Sequence, residues 1–246
     1  IFYKSVLKNT TFNGKPDDLK LTNGLFGTSA LTYTNSTTIS VPKNTNLTLL
    51  STGFIINKST INNDGIIIIL IEARVDNNGN INNNSEIFNN LALITNNKGG
   101  TITNNKDGII SSLGIIDNKF DCKITNGGTI TNGNRIKNNG TITNNSTIIN
   151  GITFSDAIDE KGIIDNNNGG IVNNGTINNN NGSTINNNVG TIQNNKLINN
   201  NKLSTINNFK TIQNNDIINN PGTICEFEGS DITGNGTING NPPKKC

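Results

Sequence analysis

The clearest signal in the chain is the spacing of isoleucine among polar residues. Ile192, Ile198, Ile206, Ile212, Ile218, Ile224, Ile232 and Ile238 stand six or eight residues apart. Every third one recurs at twenty, as in Ile192 to Ile212, Ile198 to Ile218, Ile212 to Ile232 and Ile218 to Ile238. A helix would repeat its apolar positions at three and four, and a hairpin sheet would need longer strands. Short strands that close at about twenty residues predict a triangular coil, whose stacked turns build three parallel sheets. The expected fold class is therefore all-β, a parallel β-helix or β-solenoid with about three strands per turn.

Strand alternation turns each Ile inward and the flanking Thr and Asn outward. Each turn then supplies about three aliphatic side chains to a bore. Gly and Asn suit the corners, because both adopt left-handed backbone readily. Stacked Asn side chains are able to hydrogen-bond as ladders along the axis. Burying one Ile contributes about 1.5–3 kcal/mol, so stability is shared among many turns and none stands alone. From Ile55 to Ile238 the pattern makes about nine turns, a rod about 45 Å long at about 4.8 Å per turn. Strict hexads at Ile124, Ile130, Ile136, Ile142 and Ile148 fit left-handed hexapeptide helices. The eight-residue steps and Asn-rich corners elsewhere favour a right-handed coil.

The ends read differently. Residues 1-50 do not follow the repeat and hold Phe2, Tyr3, Phe12, Phe26 and Tyr33. They are expected to form an N-terminal β cap or an exchange arm, with residues 51-246 as the solenoid and its C-terminal cap. Solenoid ends expose strand edges that must be covered or joined. The later phenylalanines (Phe88, Phe120, Phe154, Phe209, Phe227) are expected mostly in the bore. Residues 155–162 break the repeat, and their Asp156, Asp159 and Glu160 read as a solvated loop.

Composition changes this picture little. Hydrophobic residues are 31% and aromatic residues 4%, low enough to raise disorder. The net charge is only +2, with 15% charged residues and five Pro, which fits a folded β protein with a thin aliphatic core instead. That charge argues against a nucleic-acid partner, and Lys244-Lys245 reads as a solvated tail. No apolar run approaches the roughly 20 residues of a membrane span. The chain opens on Ile and contains no Met, as expected of an exported chain whose leader has been removed. Glycosylation sequons occur at Asn9, Asn35, Asn46, Asn57, Asn83, Asn139, Asn144, Asn174, Asn181 and Asn235. Cys225 and Cys246 are about one turn apart and are expected to form a disulfide. Cys122 lies about five turns away, too far for either, and is buried and free or pairs between chains.

Candidate chemistry is thin. The chain has no His, which removes His acid–base work and the usual metal ligand. Glycosidases need paired carboxylates on one face. The candidates are Asp64 with Glu72, Asp156 with Asp159, and Glu226 with Glu228 and Asp231, none in a recognised motif. Arg74 and Arg135, the only arginines, stand far apart. An ice-binding face needs stacked Thr-x-Thr rows. Thr101/Thr103, Thr129/Thr131 and Thr141/Thr143 have that form, but steps of 28 and 12 do not match a turn of twenty. No catalytic, cofactor or metal site is expected.

The unit Gly175-Thr176-Ile177-Asn178-Asn179, echoed from about residue 60 to 240, resembles Asn-rich β-solenoid surface proteins. These include adhesin-like and filament proteins of archaea and proteins of giant viruses. The resemblance implies a structural, non-enzymatic role outside the cell: a subunit of a filament, sheath or surface layer that forms a homo-polymer. The alternative it implies is an adhesin or viral-fibre module binding surface glycans. A polysaccharide lyase or hydrolase stands third.

Overall fold

The computed structural model describes residues 24–26, 32–50, 53–153, 159–160, 162–167, 169–180 and 182–246. Three parallel sheets surround one core, and successive strands pass from face to face. The first full turn is Thr32–Asn35, Thr38–Val41 and Asn46–Leu49, and these strands define faces one, two and three. The last full turn is Thr223–Glu226, Asp231–Thr233 and Thr237–Gly240. Faces one and three hold 11 strands each and face two holds 10. About ten turns of about 20 residues result, and at about 4.8 Å per turn they span about 48 Å.

Most strands are four residues long and share one pattern of burial. In Thr176–Asn179, Thr176 and Asn178 face outward while Ile177 and Asn179 are buried. The second position lines the bore, as Ile206, Ile212 and Ile218 do within one turn. The fourth position also points inward, and there the residue is nearly always Asn. A wholly apolar void of about 20 Å³ lies between isoleucines of the third to sixth turns.

Corners come in short and long forms. The long form has four residues and is closed by a hydrogen bond from its last N–H to its first carbonyl, as Thr45 to Pro42 and Ser204 to Asn201. In several of these corners the third residue takes left-handed backbone, as Asn44 (φ 61), Asp121 (φ 60) and Leu203 (φ 71) do. A positive φ at that place is what a type II turn requires. The last corner residue is small and buried, and Ala73, Cys122, Ser183 and Ser204 all fill that place. In the short form the same place is often Gly. A Cβ on Gly175 would lie 2.1 Å from the Ser146 carbonyl of the preceding turn, which explains the Gly before Thr-Ile in the repeat.

Three features depart from the sequence reading. Regular turns begin at Thr32, inside the segment set apart as residues 1-50. Tyr33, Ile39 and Leu47 pair with Ile55, Ile61 and Ile67 at the bore positions. Val41 and Leu49 replace Asn at the fourth position there, so the motif is hidden. Residues 1–23 lie outside the described residues, and with them most of the expected arm. The phenylalanines are not in the bore: Phe88 faces outward, and Phe120, Phe209 and Phe227 sit on corners. They fall at outward or corner positions of the repeat, and the Ile columns already fill the axis. Phe154 is outside the described residues. Finally, Ile152–Thr153 and Asp159–Glu160 pair as an antiparallel hairpin inserted between the sixth and seventh turns.

Candidate functional site

The dominant constructed feature is a set of three buried asparagine ladders, one behind each face. On face one it runs from Asn35 to Asn208, on face two from Asn63 to Asn214, and on face three from Asn132 to Asn220. Each Nδ2 donates to the Oδ1 of the next turn, 2.6–2.9 Å away. Partners are 18 to 22 residues apart, and 28 or 29 across the hairpin. The same Nδ2 donates again to a backbone carbonyl of the next turn, as Asn57 does to Asn80 at 2.9 Å. That second bond fixes the amide, since a flipped side chain would set oxygen against oxygen. All three inner ladders therefore donate toward the C-terminal end.

Outer asparagines form further ladders with the opposite sense. Asn199 donates to Asn178, Asn219 to Asn199 and Asn239 to Asn219, at 2.8–3.1 Å. A corner column repeats this through Asn195 to Asn174 and Asn215 to Asn195. The two Asn of one repeat thus occupy opposite environments. The signal that separates them is parity: the fourth residue lies two past Ile and so shares its side of the strand.

The ladders have defined ends. Where the preceding turn offers Val41 or Ile69 in place of Asn, Asn63 Oδ1 and Asn89 Oδ1 are buried without a partner. Ser112 interrupts face three: its Oγ accepts from Asn89 and donates to Gly114 O, leaving Asn132 Oδ1 unpartnered. At the other end, Asn208, Asn214 and Asn220 donate to the carbonyls of Asp231, Thr237 and Asn241. The next residues in line are Glu226, Gly234 and Gly240. Both glycines have positive φ, and Pro242 and Pro243 follow, which blunts the strand edge.

The sequence candidates fall in separate places. Cys225 and Cys246 form a disulfide with Cα atoms 5.5 Å apart, beside a Lys245–Glu226 ion pair at 3.1 Å. Glu226 occupies the ladder position, in register with Asn208. Cys122 is buried and free. Asp64 and Glu72 lie on different corners, and Asp64 accepts from Asn84. Face one carries the ion pairs Arg74–Asp76, at 2.7 Å, and Arg135–Asp165. Asp117 pairs with Lys119 at 2.6 Å, while its Oδ1 is buried and unpartnered. Among the described residues no three His, Cys, Asp or Glu side chains group as metal ligands.

No family model, curated protein or solved structure matches the chain. The geometry therefore stands by itself as a β-solenoid with buried Asn ladders.

Of the sequons, Asn174 and Asn235 are exposed, and Asn46 and Asn139 half-buried. Asn35, Asn57, Asn83 and Asn144 are fully buried ladder residues. Their Nδ2, the atom a glycan would take, already donates within the core, so a sugar there would break rungs of the ladder. Asn9 and Asn181 lie outside the described residues. The Thr pairs also rearrange. Thr101/Thr103 and Thr141/Thr143 share face two, two turns apart with Lys123/Thr125 between them, while Thr129/Thr131 belongs to face three. Measuring steps between consecutive pairs mixed two faces.

Proposed function

We propose that this chain is a structural, non-enzymatic protein: a rigid rod that serves as a subunit of an extracellular filament, sheath or surface layer. The observation that carries the reading is the length of the face-one ladder, which continues from Asn35 to Asn208 through every turn between. Such a stack makes stiffness along one axis, with each turn bonded to its neighbours by backbone and side chain alike. The disulfide suits an oxidising compartment, and the likeness to Asn-rich surface proteins points the same way. Negative-stain electron microscopy of the purified chain at rising concentration tests it. Filaments or sheets are the expected result, and separate rods about 48 Å long at every concentration would sink it.

A second reading is favoured by one feature. Phe209 and Phe227 stack with ring centroids 3.9 Å apart on the corner between faces one and two. Phe120, on the same corner, is 67% exposed. Exposed aromatic rings suit the apolar faces of sugars, as in an adhesin or viral-fibre module. A glycan array with hits that vanish in Phe209→Ala supports this reading, and an array without hits counts against it.

A further inference from the structure

We infer that face three is a self-association surface, against which a second copy of the chain packs face to face. This deepens the structural role proposed above, on which it rests, by naming the partner and the face. The argument begins with charge. From Asn46–Leu49 to Thr237–Gly240, the strands of face three contain a single charged residue, Glu86. Face one by contrast bears Arg74, Asp76, Asp117, Arg135, Lys137 and Asp165 on its strands, and face two bears Lys123 and Asp231 among outward Thr, Asn and Gln, so only face three joins near-absence of charge to outward Ile and Leu. Nearby charges in the last turns, such as Lys196, Lys202 and Asp216, sit on corners. A flat β surface kept in water normally carries interspersed charge that blocks association. Face three lacks that protection over almost its whole length.

What it presents instead is apolar, hydroxyl and amide surface in two columns, with Thr129, Thr147 and Thr176 in register between the apolar side chains. Ile109 and Ile217 are 43% and 37% exposed, and Ile149 and Leu197 are half-buried on the same outward side. Leu197 pairs in register with Ile217, beside the ladder of Asn199 and Asn219. Those amides already bond one another, so covering them costs less than covering free amides. An ionic partner would find only Glu86 to pair with on these strands. A second copy offers the same uncharged strip at the same spacing of about 4.8 Å per turn, commensurate along its full length. Four residues give a width of about 13 Å and ten turns a length of about 48 Å. That covers about 600 Å² on each copy, or about 1,200 Å² in total, the lower limit of stable interfaces. A two-fold axis through the face closes the contact as a dimer of micromolar strength.

Sedimentation velocity on the full chain, from low to high micromolar, tests this. The wild type is expected to dimerise. Leu197→Lys/Ile217→Lys should weaken dimerisation by at least about tenfold, while Thr191→Lys/Thr211→Lys, on face two of the same turns, should leave it unchanged. Circular dichroism and melting check folding; Ile109→Lys serves if the double variant unfolds. A wild type that stays monomeric, or equal loss in the face-two control, overturns the inference. Electron microscopy of the same samples separates the two claims. A face-three variant that dimerises as well as the wild type overturns the face alone, whereas dimers that never extend overturn the filament alone.

Discussion

At the scale of single residues, the fourth-position asparagine does the specifying. An inward Asn would be costly in an aliphatic bore unless bonded on both sides, and here the neighbouring turns supply both bonds. Asn144→Ala would remove the rung from Asn126 Nδ2, the rung to Asn173 Oδ1 and the bond to the Thr176 carbonyl, leaving Asn126 its Thr147 acceptor and Asn173 its Gly175 donor. A loss of about 2–4 kcal/mol is expected, read as a lower urea midpoint. The reverse change should help. Ser112→Asn joins Asn89 to Asn132 and supplies the buried Oδ1 with its donor. A gain of about 0.5–1.5 kcal/mol is expected, and a lower melting temperature would show that the site cannot hold the amide. Tyr33 gives a pH signature. Burial raises its hydroxyl pKa above the ordinary 10.0, so above about pH 10 the unfolded chain sheds a proton that the folded chain keeps. Stability is present below that pH and falls as pH rises through it. Between about pH 9 and about pH 11, Tyr33→Phe should lose less melting temperature than the wild type; equal losses would contradict this.

At the scale of elements, strands and corners follow different rules. Strands need alternation; several long corners need one left-handed residue. Leu203 fills that place at φ 71 with 80% of its surface exposed, a poor choice for a residue with a Cβ. Asn44 holds the equivalent place at φ 61. Leu203→Asn should therefore raise stability by about 0.5–1 kcal/mol, and thermal melting that shows a decrease would refute it. The same contrast explains what the sequence made legible. Ile is inward wherever it follows Thr in a Thr-Ile pair, so the three faces and the turn of about twenty residues follow directly from Ile192 to Ile238. Asn was harder, because Asn178 and Asn179 are chemically identical and only parity sets one outside and one in the core. The first turn stayed hidden because Tyr33, Val41 and Leu49 replace the usual letters without changing the backbone. Phe209 and Phe227 lie on corners and not in the bore, because position within the repeat decides which side chains turn inward. The uncharged strip on face three was invisible in composition: only the fold shows that a single charged residue, Glu86, lies on those strands.

At the scale of the whole molecule, cooperativity runs along one axis. The Cys225–Cys246 bridge spans 21 residues, and a loop of that length stabilises by about 3 kcal/mol in the chain-entropy model. Because each turn contacts only its neighbours, reduction should loosen the last turn and little else. Amide hydrogen exchange is expected to quicken in residues 223–246 and stay slow in residues 115–150. Acceleration throughout would mean that the rod melts as a unit. The shared polarity of the inner ladders has one more consequence. Each completed turn holds out side-chain N–H groups toward residues that come later in the chain, and these stay unmet until the following turn arrives. A polypeptide made from its N-terminus forward delivers those acceptors in the order required. Each closed turn would then serve as the template for the next, until the carbonyls of Asp231, Thr237 and Asn241 take the last donors.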